Sequence, residues 1–185
     1  MLMLTGRHRT LSASRGFTIV ELLIVIVVIA ILATITVVAY NGIQDRAENT
    51  KTNQAVAQYA RALLAYKTLN STYPSGTPGA NVCITNAADY CGNIVSNTSP
   101  CFFLARYQGL AALDTDIATV ISNPPAAGKG GTCGAGTYAG IMYDSSGGRL
   151  IWFLKGTQTC AALGGMYNPN TSTSGNATRC LAFLP

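Results

Sequence analysis

Gly16-Phe17-Thr18-Ile19-Val20-Glu21-Leu22-Leu23-Ile24-Val25-Ile26-Val27-Val28-Ile29-Ala30-Ile31-Leu32-Ala33-Thr34-Ile35-Thr36-Val37-Val38-Ala39-Tyr40 is the stretch that decides the fold. Phe17 to Tyr40 is 24 residues, or roughly 36 Å as an α-helix. That length crosses a bilayer core of about 30 Å. No charged side chain occurs from 22 to 44. A secretory signal peptide has a shorter apolar region that ends at a small-residue cut site. Here the run is too long and no such site follows it. A plain membrane anchor fits the length and leaves Glu21 unexplained. A carboxylate in an apolar helix is expensive and points to a partner or a function.

Upstream, Arg7, Arg9 and Arg15 have no acid to balance them. Such a basic flank stays on the cytoplasmic side. Past residue 16 the chain carries nine Lys or Arg against seven Asp or Glu, a net of +2. Much of the basic character therefore sits in the first sixteen residues, and it supports a nucleic-acid partner only weakly.

Gly16-Phe17-Thr18-Ile19-Val20-Glu21 followed by a long aliphatic run resembles the cleavage motif of type IV pilins and pseudopilins. The resemblance covers about 25 residues. It implies a leader at 1–16, cut after Gly16 by a prepilin peptidase. It implies methylation of the new amine on Phe17 by the same kind of enzyme. The apolar run then stays in the mature chain, first in the cytoplasmic membrane and later in the core of a filament. Glu21 becomes the assembly residue. In a core of low dielectric it offsets the Phe17 amine of its own chain or a neighbour, and so sets the axial register. Relatives often carry Gly and Pro inside the run, where this chain has Ala30 and Val38.

Past Tyr40, apolar residues at Ile43, Ala47, Val56, Tyr59, Leu63 and Tyr66 predict one helix face. That stripe is weak around Thr50 to Gln54. One helix is read from Phe17 to Leu69: a filament-core half at 17–40 and an amphipathic half at 41–69. Asn70-Ser71-Thr72-Tyr73-Pro74 ends it. A globular head at 70–185 follows. Its clearest elements are strands at Tyr138–Asp144 and Arg149–Lys155, with a third at Cys180–Leu184. A short helix is read within Leu110–Ser122. Asn168–Asn176 reads as an exposed loop. The fold class is α+β: a long N-terminal helix laid on a small antiparallel sheet, the pilin plan. Trp152 is read as core.

Cys83, Cys91, Cys101, Cys133, Cys160 and Cys180 all follow the apolar run. An even set beyond a membrane segment reads as disulfides in an oxidising exterior. Short spacings favour Cys83–Cys91, Cys101–Cys133 and Cys160–Cys180. No C-x-x-C pair exists and the only His is His8, so no metal site is expected. Gly128-Lys129-Gly130-Gly131 lacks the spacing of a phosphate loop. Asp114 and Asp116 give weak support for a carboxylate pair. No catalytic residues and no cofactor are expected, and the chain reads as a non-enzyme.

The leading function is a type IV pilus subunit, polymerised with copies of itself by a membrane assembly machine. It would serve adhesion, motility or cell contact on the outer surface. The alternatives are a pseudopilin of a type II secretion system, and a membrane-anchored minor pilin binding DNA or glycan.

Overall fold

The computed structural model describes residues 16–74, 81–84, 90–93, 106–134, 136–144, 148–160, 162 and 167–185. The leader through Arg15, and Cys101, lie outside these residues. The chain divides into two compact units, Met1–Asn41 and Gly42–Pro185.

Helix α1 runs from Ile19 to Asn70, 52 residues. In the first unit it is apolar on every side, and the described side chains from Phe17 to Val37 are exposed. By length and composition this segment is fit to cross a membrane. The helix ends at Ser71, which takes φ 61°. This is the left-handed residue that stops many helices.

Within the second unit the buried face of α1 starts later than the apolar residues suggest. Ile43 and Ala47 are exposed, whereas Asn49 and Thr52 are buried ahead of Ala55, Val56, Tyr59, Ala60 and Leu63. The stripe is continuous at steps of three and four, but its first two members are polar.

Strands β1 (Asn81–Cys83), β2 (Tyr90–Asn93) and β3 (Arg106–Gln108) precede the short helix α2 (Ala111–Ala118). Then come β4 (Thr132–Cys133), β5 (Gly136–Ala139), β6 (Ile141–Asp144), β7 (Arg149–Lys155), β8 (Tyr167–Ser174) and β9 (Ala177–Phe183). A five-stranded antiparallel sheet has the order β1-β6-β7-β9-β8, and a four-stranded one the order β3-β2-β5-β4. The architecture is α+β and pilin-like: a long N-terminal helix packed, through its later turns, on small antiparallel sheets.

Two departures from the sequence reading have clear causes. The expected strand Tyr138–Asp144 is two strands, parted at Gly140, whose φ of 78° suits glycine. Before that turn the chain pairs with β2 and β4; after it, with β1 and β7. The expected loop Asn168–Asn176 is largely strand β8, paired with β9 from Tyr167↔Phe183 to Ser174↔Ala177. Its Asn, Ser and Thr content imitates a loop. Pairing with β9 and a two-residue turn led by Gly175, at φ 59°, make it a polar edge strand.

Strand β7 is buried on both faces. Leu150, Trp152 and Leu154 meet Val56, Tyr59 and Leu63 of α1, with Leu113 and Ile117 of α2 in the same core. Ile151 and Phe153 pack on the other side with Tyr138, Met142, Cys83, Cys91 and Cys133.

Candidate functional site

The start of α1 carries the residues singled out for processing and assembly. Gly16 and Phe17 are exposed, and space around Gly16 is open. Phe17 keeps 82% of its surface exposed. Thr18 is the residue before the first helical turn, and Glu21 lies three residues on. Glu21 Oε2 accepts the Thr18 backbone N–H at 2.8 Å and the Thr18 Oγ1 hydroxyl at 2.8 Å. The Glu21 N–H in turn donates to Thr18 Oγ1 at 3.3 Å. This is a capping box, the T-x-x-E pattern that satisfies donors left over at a helix start. The sequence reading assigned Glu21 to the Phe17 amine and passed over Thr18, although T-x-x-E before an apolar run is itself legible. Within one subunit the acid is already held by two donors one turn away. The arrangement keeps a carboxylate at the mouth of an apolar helix, where the helix dipole also favours it.

The second set of polar residues joins α1 to the head. Asn49 Nδ2 donates to the Lys155 carbonyl at 2.9 Å, and Asn49 Oδ1 accepts the Lys155 N–H at 2.7 Å. Trp152 Nε1 donates to Asn53 Oδ1 at 3.2 Å. Thr52 Oγ1 accepts the Gly128 N–H at 3.0 Å, and Glu48 Oε2 accepts the Lys129 N–H at 2.8 Å. Asp45 pairs with Lys155 Nζ at 2.6 Å. The break in the apolar stripe is thus the docking segment, where the helix side chains satisfy backbone groups of the strand and loop.

Gly128-Lys129-Gly130-Gly131 is a tight crossing. A Cβ on Gly130 would lie 1.8 Å from the Tyr138 carbonyl oxygen, and one on Gly131 1.7 Å from that of Asn176. The glycines are there for close backbone approach.

Cys83 is disulfide-bonded to Cys91 and Cys160 to Cys180. Cys133 is disulfide-bonded as well; Cys101, its partner on the sequence reading, lies outside the described residues. Asp114 and Asp116 face tyrosines of α1. Burial, and then the Asp114 charge, push the Tyr59 phenol up to about 12. Burial likewise raises Tyr66, helped by the charge of Asp116 and a hydrogen bond to it. Burial lowers Arg179, with the Arg149 charge beside it acting the same way.

Residues 11–37 match the prokaryotic N-terminal methylation motif. The chain therefore carries a prepilin-type signal in a pilin-like architecture, and the curated proteins it resembles are type II secretion system core proteins. It is 37% identical over 73 residues to the type II secretion system core protein G of Klebsiella michiganensis, covering 40% of this chain and 51% of that protein. It is 34% identical over 71 residues to the protein of the same name in Pectobacterium carotovorum, at 38% and 46% coverage. The corresponding protein of Escherichia coli K12 is also 34% identical over 71 residues, at 38% and 49%. The chain spans about half the length of the curated relatives it matches. No solved structure matches the chain significantly.

Proposed function

We propose that this chain is a pseudopilin-like filament subunit of a type II secretion system. The observation that carries the reading is the prepilin-type motif at 11–37 together with 37% identity over 73 residues to a core protein of that system. This reverses the order of the sequence reading, which put a type IV pilus first.

On this reading a prepilin peptidase cuts between Gly16 and Phe17 and the new amine of Phe17 is methylated. Residues 17–40 hold the subunit in the cytoplasmic membrane, with the head at 70–185 outside and 41–69 joining the two. Assembly moves the apolar half from lipid to the flanks of sister helices. Nothing in that exchange is gained from hydrophobicity alone, because lipid tails are as apolar as the helices. A charged pair can then set the stagger. The cut frees a cationic amine on Phe17, one turn before Glu21. Thr18 occupies only Oε2 of the carboxylate, which leaves Oε1 to meet that amine or a neighbour's.

Mass spectrometry of the chain recovered from membranes should find a mature product that starts at methylated Phe17. Deleting the gene should stop release of exoproteins without removing long surface fibres. Sheared fibres composed mainly of this chain, with normal exoprotein release, would return the reading to a type IV pilus subunit. The disulfide-stapled head favours that second reading.

A further inference from the structure

Asn41-Gly42 is the only Asn-Gly pair in the chain, and it lies inside α1. Both residues are weak helix formers. Against a pair of alanines they make that turn roughly ten-fold easier to open. No packing explains the glycine: a Cβ on Gly42 would meet nothing within 4 Å. Tyr40, Asn41, Ile43 and Gln44 are all exposed. Among the described residues, the first bond from α1 to a strand is made only after the pair, by Asp45.

The asparagines of α1 differ in what holds them. Asn49 commits both its oxygen and its nitrogen to the backbone of Lys155. Asn53 accepts from Trp152, and Asn70 donates to the Tyr66 carbonyl. Among the described residues the Asn41 amide makes no such bond. Thr50, Gln54 and Ser71 follow the three that are held, and their side chains crowd the next backbone nitrogen. Gly42 puts no side chain beside its own.

In the closed helix the Gly42 N–H donates to the Val38 carbonyl, which keeps its nitrogen away from the Asn41 side chain. Once the turn opens, that nitrogen can attack the Asn41 side-chain carbonyl carbon. A five-membered succinimide closes, and the N–H proton leaves with the amide nitrogen as ammonia. Water then opens the ring at either carbonyl, giving aspartate or iso-aspartate. We propose that α1 opens locally at Asn41–Gly42 and that Asn41 is a site of succinimide formation and amide loss. Aspartate there is a second acid in residues 17–44, after Glu21. Iso-aspartate also lengthens the backbone by a carbon, so the helical ladder cannot close across it again. The proposal is independent of which machine uses the chain.

The test holds the full chain in detergent micelles at neutral pH. Amide loss is followed by peptide mapping, iso-aspartate by enzymatic methylation, and opening by hydrogen exchange. Asn41 should convert at least about ten-fold faster than Asn49 or Asn53 in the same sample. Gly42→Ala, which has room for its methyl group, should slow exchange at residues 43–45 about five-fold and stop iso-aspartate at 41. Asn41→Gln should keep the fast exchange and form no iso-aspartate, which separates the opening from the modification. Conversion at 41 no faster than at 49 and 53, iso-aspartate that forms only after unfolding in urea, or exchange at 43–45 unchanged by Gly42→Ala overturns the proposal.

Discussion

Thr18 gives Glu21 a role before any partner arrives. Two hydrogen bonds at 2.8 Å hold the carboxylate on its own first turn, so the proposed assembly has to share or replace them. Removing Glu21 takes away both the cap and the charge; removing the Thr18 hydroxyl loosens the carboxylate and leaves the charge. Glu21→Ala should therefore cut filament yield more than it cuts leader processing. Thr18→Val should lower yield less, by about five-fold for a lost cap of roughly 1 kcal/mol, and Thr18→Ser should restore it. Counting cross-linked oligomer against processed monomer separates the two steps. Normal yield from Glu21→Ala would end the pairing argument. At Tyr59 the same scale of reasoning concerns a proton. Its phenol is buried and neutral in the fold, with its value raised from 10.0 to about 12. Below pH 10 the folded and unfolded chains both keep the proton and the stabilisation is complete. As pH rises from 10 through about 12 the unfolded chain ionises first, so stability is lost, at up to about 1.4 kcal/mol per pH unit. Tyr59→Phe should flatten that alkaline fall in urea unfolding followed at Trp152, the single tryptophan. An unchanged slope would show that the phenol titrates normally.

At the scale of elements, α1 is two helices in chemistry. The apolar half was legible because a helix bound for lipid or for like helices needs an apolar surface all round, and Gly16 and Phe17, proposed for cleavage, and Glu21, proposed for assembly, stand in register with it. The docking half was legible only from Val56 onward. Asn49, Thr52 and Asn53 resemble a solvated face in sequence, since nothing in their identity says that a strand end will supply partners. Strand β8 was hidden by its composition: its Thr and Ser residues are polar because it is an edge, although the Gly175-Asn176 turn that pairs it with β9 is itself a hairpin signal. Gly140 divides one apolar run between two sheets, which no periodicity reveals. The polar dock makes its own forecast. Asn49→Ala strips partners from the backbone N–H and carbonyl of Lys155, both at a part-buried site. Stability should fall by about 2–4 kcal/mol, read as a lower urea midpoint. Lys51→Ala, two residues on and exposed, should change it by less than about 0.5 kcal/mol. Equal, small shifts would mean that the asparagine bonds are replaced by water.

Across the whole head, the two sheets are held together unequally. The five-stranded sheet has strands of up to eight residues and shares its core with α1 and α2. The four-stranded sheet has strands of only two to four residues and leans on the back of β7 through Tyr138, Cys91 and Cys133. Such short strands gain little from pairing alone, so covalent ties carry more of the order there. Cys83–Cys91 runs from β1 in the larger sheet to β2 in the smaller, closing a loop of sequence separation 8. A loop of that size contributes about 2–3 kcal/mol in the chain-entropy account. Replacing both cysteines with alanine should remove about that much, and the loss should be local. Hydrogen exchange should accelerate at Tyr90–Asn93 and Gly136–Ala139, while Arg149–Lys155 and Ala177–Phe183 keep their protection. If all four strands open together, the head is one cooperative body and the tie is only one contact among many. If β2 and β5 alone open, the smaller sheet is a separately stapled layer. The helix-bearing layer then survives conditions that reduce the staple.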